Sequence, residues 1–258
     1  MVHMIAEFIG LGGYQRPAEG YMSWQHLTFV SILMLIMIVQ AIFWGRRNKS
    51  RSDEEKMKVI LVSALLMDGV EIIKVILICF RSNDPMAWLY NLPLFLCSIQ
   101  MITLPLAVLS KGRIRQASLD FISIFGLIGA VLGTYCAGNN YAAYPVLSLD
   151  NVVSGITHST AGFAALYILI AGMAKMRKED MKISFAILLG FVVAAHVANL
   201  FLDCNYMFLM RGDGTPYDIL YNLVGGNPIA YPIGVVALFL VYIFGFYRVF
   251  ALIQRKKK

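Results

Sequence analysis

Seven apolar stretches, each long enough to cross a lipid bilayer, constrain this chain more than any other feature of its sequence. A spanning helix needs about 20 largely apolar residues. Hydrophobic residues make up 59% of the 258 residues and charged residues 14%, a balance that excludes an ordinary soluble domain. The sequence therefore predicts an all-α polytopic membrane protein, a bundle of seven transmembrane helices. The predicted spans are residues 22–44, 59–80, 92–110, 117–137, 151–173, 183–208 and 229–250.

The distribution of basic residues predicts the orientation of the bundle. Lysine and arginine are retained in cytoplasmic loops, and 18 of the 22 such residues fall between alternate spans or after the last one. Their segments are 45–58, 111–116, 175–182 and the stretch from Arg248 onward. This asymmetry places the N-terminus outside and the C-terminus in the cytoplasm. The basic residues are scattered among short loops without interleaved aromatic residues, so we expect no nucleic-acid partner.

The spacing of the spans predicts three segments and no second, soluble domain. Residues 1–21 form a short extracytoplasmic segment, 22–250 the membrane domain and 251–258 a basic cytoplasmic tail. The four cysteines have neither CxxC spacing nor a metal-site pattern, so we expect no metal and no cofactor. A disulfide remains open for three of them, which lie near predicted outer span ends: Cys79, Cys136 and Cys204.

Polar residues inside the predicted spans mark a candidate site. An ionisable side chain in the membrane costs about 3 kcal/mol on insertion scales, so it normally faces the bundle interior or a cavity. At about 1.5 Å rise per residue, Cys97 and His158 lie at similar depths in the outer half of the bundle. Polar groups from five spans converge there, which predicts an intramembrane pocket. They are His26, Glu71, Lys74, Cys97, His158, His196 and Asn199, with Asn205 near the end of the sixth span.

Several of these residues also have a purely structural interpretation. Glu71 and Lys74 are three positions apart, so they can neutralise each other as an ion pair on one helix. His26 can anchor the first span at the interface. A buried cysteine is usually a small, inert hydrophobic residue.

Cys97 is the strongest candidate for chemistry. The third span opens with Asn91-Leu92-Pro93, and proline is tolerated in the first turn of a helix. We expect the positive end of that helix dipole to favour a Cys97 thiolate. His158 at matching depth is then a candidate general base, giving a Cys–His dyad.

Three short motifs resemble the YwaF-like family of bacterial integral membrane proteins. They are Leu92-Pro93-Leu94-Phe95-Leu96-Cys97-Ser98, His158 early in the fifth span, and Asn199 followed by Asn205-Tyr206-Met207-Phe208-Leu209. That family is similar to a eukaryotic transmembrane group regarded as lipid acyltransferases, in which a cysteine and a later histidine form the proposed dyad. The resemblance implies a multi-pass protein of the bacterial cytoplasmic (inner) membrane whose partners are membrane lipids.

Two functions follow as hypotheses. The resemblance implies a thiol acyltransferase acting on phospholipid acyl chains, with Cys97 as nucleophile and His158 as proton shuttle. Residues expected to bind or orient the substrate are His26, Glu71, Lys74, His196, Asn199, Asn205 and Tyr206. The alternative is a transporter or a ligand-binding membrane protein whose polar path runs through Asp68, Glu71, Lys74 and His196. The inner halves of the spans offer few polar groups for such a path.

Overall fold

A computed structural model describes residues 2–255, and every regular element in that range is helical. Two 3₁₀ helices, Ala87–Asn91 and Tyr206–Phe208, supplement the α-helices. The last three residues of the predicted basic tail, 256–258, lie outside the described range. The α-helices are α1 (Val2–Ile9), α2 (Trp24–Asn48), α3 (Asp53–Ser82), α4 (Gln100–Leu109), α5 (Gly112–Tyr135), α6 (Gly138–Ala143), α7 (Leu149–Ile170), α8 (Lys178–Leu202), α9 (Tyr217–Leu223) and α10 (Ala230–Arg255).

Five helical segments of the described chain are long and apolar enough to cross a membrane. These segments are Trp24–Asn48, Gly112–Ala143, Leu149–Ile170, Lys178–Leu202 and Ala230–Ile253. Helix α3 is longer, at 30 residues, but it carries Asp68, Glu71 and Lys74 within its apolar part. The protein is therefore a multi-pass membrane protein built from helices.

The prediction of one continuous helix over 92–110 is wrong for its first half. Only α4, 10 residues long, is helical there, and residues 92–99 form an irregular segment with turns. The predicted sixth span is also too long, because α8 ends at Leu202 and Asp203 adopts the left-handed conformation with φ of 49°. Apolar composition alone does not distinguish a helix from irregular backbone buried inside a bundle.

Local capping explains where several helices begin and end. Ser52 and Glu55 form a reciprocal capping box at the start of α3, which satisfies two backbone donors that the first helical turn leaves free. Ser23 accepts the N–H of His26 at the start of α2, and Ser148 accepts that of Asn151 at the start of α7. Asn83 ends α3 in the left-handed conformation that asparagine tolerates.

Helix α7 lies at the centre of the bundle and packs against α2, α3 and α5. Small residues allow the closest approach: a Cβ at Gly126 of α5 would lie 2.7 Å from the carbonyl oxygen of Ala161. Membrane helices commonly associate through such small-residue contacts, because apolar burial does not drive them together in lipid. The α5–α7 pair therefore provides a rigid frame for the side chains between these helices.

The loops that connect the helices define two ends of the bundle. Residues 49–52, 110–111 and 171–177 gather at one, called the basic end, where Arg113 lies 3.3 Å from Asp180. At the other, called the far end, Arg81 forms a bidentate pair with Asp150, with distances of 2.5 and 3.1 Å.

The N-terminal segment is held against the far end. Arg81 donates to the carbonyl of Ile9 at 3.1 Å, and the hydroxyl of Tyr14 donates to Asp150 at 2.7 Å. Burial, together with the Asp150 carboxylate, raises the pKa of the Tyr14 hydroxyl. Glu19 also accepts the backbone N–H of Val146 at 2.7 Å. These contacts dock residues 9–19 onto the bundle.

Candidate active site

Cys97 lies in the irregular segment that precedes α4, not within a helix as predicted. Ser98 stabilises the turn around it, because its hydroxyl accepts the N–H of Phe95 and donates to the carbonyl of Phe95, both at 3.1 Å. Irregular backbone at membrane depth persists only where it is buried in protein or lines a cavity. The Cys97 segment is partly buried along its length, so this condition is met by protein packing.

A second irregular segment packs against the first and fixes its position. The hydroxyl of Tyr206 donates to the carbonyl of Leu89 at 2.9 Å and accepts the N–H of Leu92 at 3.2 Å. The ring of Phe95 meets the Tyr206 ring edge-on, with centroids 5.1 Å apart. Tyr206, predicted as a substrate-binding residue, therefore supports the loop that carries Cys97.

Asn199 and Asn205 hold this second segment in shape. Asn199 accepts the N–H of Tyr206 at 2.6 Å and donates to the carbonyl of the same residue at 3.0 Å. Asn205 accepts the N–H of Met210 at 2.9 Å and donates to Asp213 at 2.8 Å. Both amides thus form hydrogen bonds with other groups of the protein. Their predicted role as substrate-binding groups remains a proposal.

His158 is oriented by its own helix. Its Nδ1 atom lies 2.7 Å from the carbonyl oxygen of Ser154, one turn earlier on α7. A carbonyl only accepts hydrogen bonds, so Nδ1 must carry the proton in the neutral ring, which leaves Nε2 with a lone pair. Nε2 is buried and makes no aligned hydrogen bond within residues 2–255. The imidazole is therefore presented as a base.

Two glycines of α5 make room for the cysteine and the histidine. A Cβ at Gly133 would overlap the Cδ2 and Nε2 atoms of the His158 ring, whereas a Cβ at Gly129 would lie 3.4 Å from the Cβ of Cys97. The two glycines are one turn apart, so Cys97 and His158 lie side by side along the same face of α5. Sequence reasoning missed both glycines, although small residues at helical spacing on a span were a usable signal.

Cys97 and His158 are direct neighbours. Both lie against the same face of α5, and the thiol and the imidazole are close enough to influence each other electrostatically. No hydrogen bond joins the two side chains in the described chain, because His158 Nε2 has no partner. Catalytic hydrogen bonds are often loose in unliganded structures and tighten when substrate binds. The two residues therefore lie near each other against α5, and their action as a dyad stays a prediction.

Glu71 and Lys74 form the intrahelical ion pair that their spacing suggested. Their side chains are each 14% exposed, so the pair faces the bundle rather than the lipid. Glu71 contributes to the electrostatic environment of His158, and Lys74 contributes to that of Asp150. The pair thus lies between the candidate active site and the Arg81–Asp150 bridge at the far end.

The two remaining predicted histidines differ from each other. His26 is fully buried and uses both ring nitrogens: Nδ1 accepts the N–H of Met22 at 3.2 Å, and Nε2 lies 3.0 Å from the carbonyl oxygen of Thr134. It also stacks on Tyr141, with centroids 3.8 Å apart. His26 therefore joins α2 to the end of α5, whereas His196 has a buried Nδ1 without a partner in the described chain.

The remaining sequence predictions concern cysteine pairing, metals and cavities. All four cysteines are free, so the disulfide left open for Cys79, Cys136 and Cys204 is not formed. No cluster suited to a metal ion occurs among residues 2–255. A groove of about 540 Å³ between α2, α5 and α7 is lined almost entirely by apolar side chains, but it does not include Cys97 or His158.

Fold and site together define a multi-pass helical membrane protein with a cysteine beside a histidine inside the bundle. A model of the TMEM164 family matches residues 21–248, which is most of the chain. The chain belongs to the TMEM164 family. Searches of curated proteins and of solved structures found no match.

Proposed function

We propose that the chain is a membrane thiol acyltransferase that acts on phospholipid acyl chains through Cys97 and His158. The observation that carries the proposal is the tautomer of His158. Because Nδ1–H is committed to the Ser154 carbonyl at 2.7 Å, the unpaired Nε2 is available to take the proton of the adjacent Cys97 thiol. A nucleophile, its base and a group that orients the base are the parts that covalent acyl transfer needs.

The reaction proceeds in two balanced steps. Cys97 gives its proton to Nε2 of His158, and the thiolate attacks the ester carbonyl of the donor lipid. The tetrahedral intermediate collapses to a Cys97 thioester, while the leaving alcohol takes the proton from His158. In the second step the hydroxyl of a lysophospholipid gives a proton to His158 and attacks the thioester; the C–S bond breaks, and the Cys97 sulfur leaves with the proton returned from His158. Water in place of the second alcohol gives hydrolysis.

Seven crossings belong to the same proposal. The five long apolar segments are joined by α3 and by a crossing in which residues 92–99 continue into α4. The basic end is then cytoplasmic, with the N-terminus outside, because lysine and arginine concentrate there. The proposal also includes the division of the chain after residues 21 and 250. It includes a relation to the YwaF-like group and a location in a bacterial cytoplasmic membrane. A cysteine placed at Asn140 is expected to react with an impermeant reagent from outside, and protection there would reverse the orientation.

The test of activity uses the full chain in detergent and an alkyne-tagged long-chain acyl thioester. We expect the acyl group on Cys97, located by peptide mass spectrometry, and none in Cys97→Ala. His158→Ala is expected to slow acylation by about a thousandfold, because it removes a general base. Cys204→Ala is the matched control, and its acylation rate should equal that of the parent chain. Acylation at Cys204 instead of Cys97 would refute the assignment.

A transport or ligand-binding role is the second candidate, and one observation favours it. Asp68 Oδ1 and His196 Nδ1 are buried without partners in the described chain, and ionisable groups inside a membrane bundle commonly mark a substrate or ion pathway. Ion flux into liposomes that is lost in Asp68→Asn but unchanged in Cys97→Ala would favour this candidate. The opposite pattern, acylation without flux, would favour the acyltransferase.

A further inference from the structure

The helical turn that begins at Phe95 leaves its first backbone donors without a protein oxygen acceptor. The N–H groups of Leu96, Cys97 and Ser98 have no oxygen or nitrogen acceptor within residues 2–255, and those of Cys97 and Ser98 approach the Cys97 sulfur, whereas the flanking N–H groups of Phe95 and Ile99 are both paired. An unpaired backbone donor is costly inside a membrane, because no water replaces the missing partner. The first-turn donors beside Cys97 are therefore available to an acceptor.

The geometry places these donors close to the reacting sulfur. The Cys97 sulfur lies beside its own N–H group and that of Ser98. The same turn leads directly into α4, whose first residue is Gln100. Helix N-termini carry a partial positive charge that favours anions, so developing negative charge near the sulfur is stabilised by the turn and the helix together.

Gln100 supplies an independent donor. Its side chain is completely buried, and its Oε1 accepts the hydroxyl of Thr103 at 2.8 Å. That bond fixes the amide, while the Nε2 group has no partner in the described part of the chain. A fully buried amide with a free NH₂ group lowers stability unless a ligand satisfies it.

We propose that the N–H groups of Cys97 and Ser98, together with the Gln100 side-chain amide, form the oxyanion hole of the acyl transfer. The inference rests on the proposed function, since it names the groups that bind the intermediate of that reaction. When the thiolate attacks, the carbonyl π electrons move onto oxygen, and these donors hold the resulting oxyanion. When the intermediate collapses, the electrons return and the lipid alcohol leaves with the proton of His158.

The test compares two reactions of the same sulfur in the full chain. Acylation by the alkyne-tagged acyl thioester passes through an oxyanion, whereas alkylation by iodoacetamide is a direct displacement that forms none. Gln100→Met is expected to slow acylation of Cys97 by about a hundredfold, the usual effect of losing one such donor. Alkylation of Cys97 should change by less than about twofold, because the thiol and its base remain.

The controls separate this role from a structural one. Gln40→Met makes the same change at an exposed position on α2 and should leave both rates unchanged. Thr103→Val frees the Gln100 amide without removing it, so acylation should fall by a smaller factor, about tenfold. Thr103→Val also keeps the test available if Gln100→Met fails to fold.

Two results would overturn the inference: equal loss of acylation and alkylation in Gln100→Met, or no loss of either. Absence of acylation in the parent chain is a different outcome. It would refute the proposed function itself, and the oxyanion hole with it.

Discussion

Two buried polar regions of this protein differ in whether their polar atoms have hydrogen-bond partners. At the basic end, Asp120 is fully buried and accepts the Gln116 amide at 3.0 Å and the N–H groups of Lys175 and Met176 at 3.0 and 3.1 Å. Tyr247 approaches the same carboxylate at 3.4 Å. Around Cys97, by contrast, His158 Nε2 and Gln100 Nε2 have no partner within residues 2–255.

The difference separates a structural role from a chemical one. A buried polar group whose partners are all protein atoms contributes to a single folded arrangement. A buried group without a partner costs stability, and such costs in native proteins concentrate at functional sites. The Asp120 cluster, defined as Asp120 with Gln116, Lys175, Met176 and Tyr247, anchors the loop between α7 and α8. The Cys97 region instead keeps polar atoms without protein partners in the described chain, as the proposed acyl transfer requires.

The largest expected effect is on folding, at the Asp120 cluster. Asp120→Ala leaves two backbone donors and one amide donor unsatisfied inside the bundle, so we expect the free energy of unfolding to fall by about 3 kcal/mol. The measurement is denaturant unfolding in mixed micelles. Acylation of Cys97 per folded molecule should remain at the parental rate.

Asp120→Asn is the matched variant at this position. It retains one side-chain acceptor, so it should lose less stability than Asp120→Ala. If either change slowed acylation of the folded fraction by tenfold or more, the Asp120 cluster could no longer be assigned a purely structural role.

The next effect concerns the space beside His158. Gly133→Ala adds a methyl group where the imidazole now lies, so the ring must move and its bond to Ser154 must weaken. A displacement of about 1 Å at a catalytic group costs about a hundredfold in rate, or about 2.7 kcal/mol in the barrier. Acylation and iodoacetamide alkylation of Cys97 should both fall, because both need the base.

Gly129→Ala is the control on the same face of α5. Its added Cβ would meet Cys97 at an ordinary contact distance of 3.4 Å, so its rates should stay within about threefold of the parent. Equal losses in the two variants would mean that helix packing, not the position of the imidazole, determines the rate.

The smallest effect tests Asn199, which holds Tyr206 in place and has both polar side-chain atoms hydrogen-bonded. Asn199→Ala removes the bonds of 2.6 and 3.0 Å to Tyr206 and should lower the free energy of unfolding by about 2 kcal/mol. Thermal unfolding in detergent measures this change, with Asn199→Asp as a variant that keeps the acceptor. A drop in acylation rate without a drop in stability would instead favour the predicted substrate-binding role of Asn199.

Much of the fold could be predicted from the sequence, because membrane insertion imposes simple rules. Apolar length located each of the six long helices, with ends that differ by up to six residues, and the depth calculation placed Cys97 and His158 at similar levels. The sequence did not reveal that Cys97 precedes a helix. Residues 92–99 are as apolar as a span, and the groups that stabilise their irregular backbone, such as Tyr206, lie more than a hundred positions away.

The roles of individual polar residues were harder to predict for a related reason. Polarity inside a span indicates that a residue needs a partner, but it does not indicate whether the protein supplies that partner. His26 and Asn199 have all or most of their partners within the chain, while Gln100 and His158 each keep a free nitrogen. Only the folded arrangement distinguishes these cases.

The support of the Cys97 loop by Tyr206 has a consequence for biosynthesis. The hydrogen bonds of Tyr206 close chain loops of 114 and 117 residues, so the loop gains its final shape only after most of the protein has been made. Contacts between distant residues form late, since the entropy of a long loop must be overcome first. The loop that carries Cys97 therefore reaches its final shape only when the fifth long helix, α8, and the turn after it are in place.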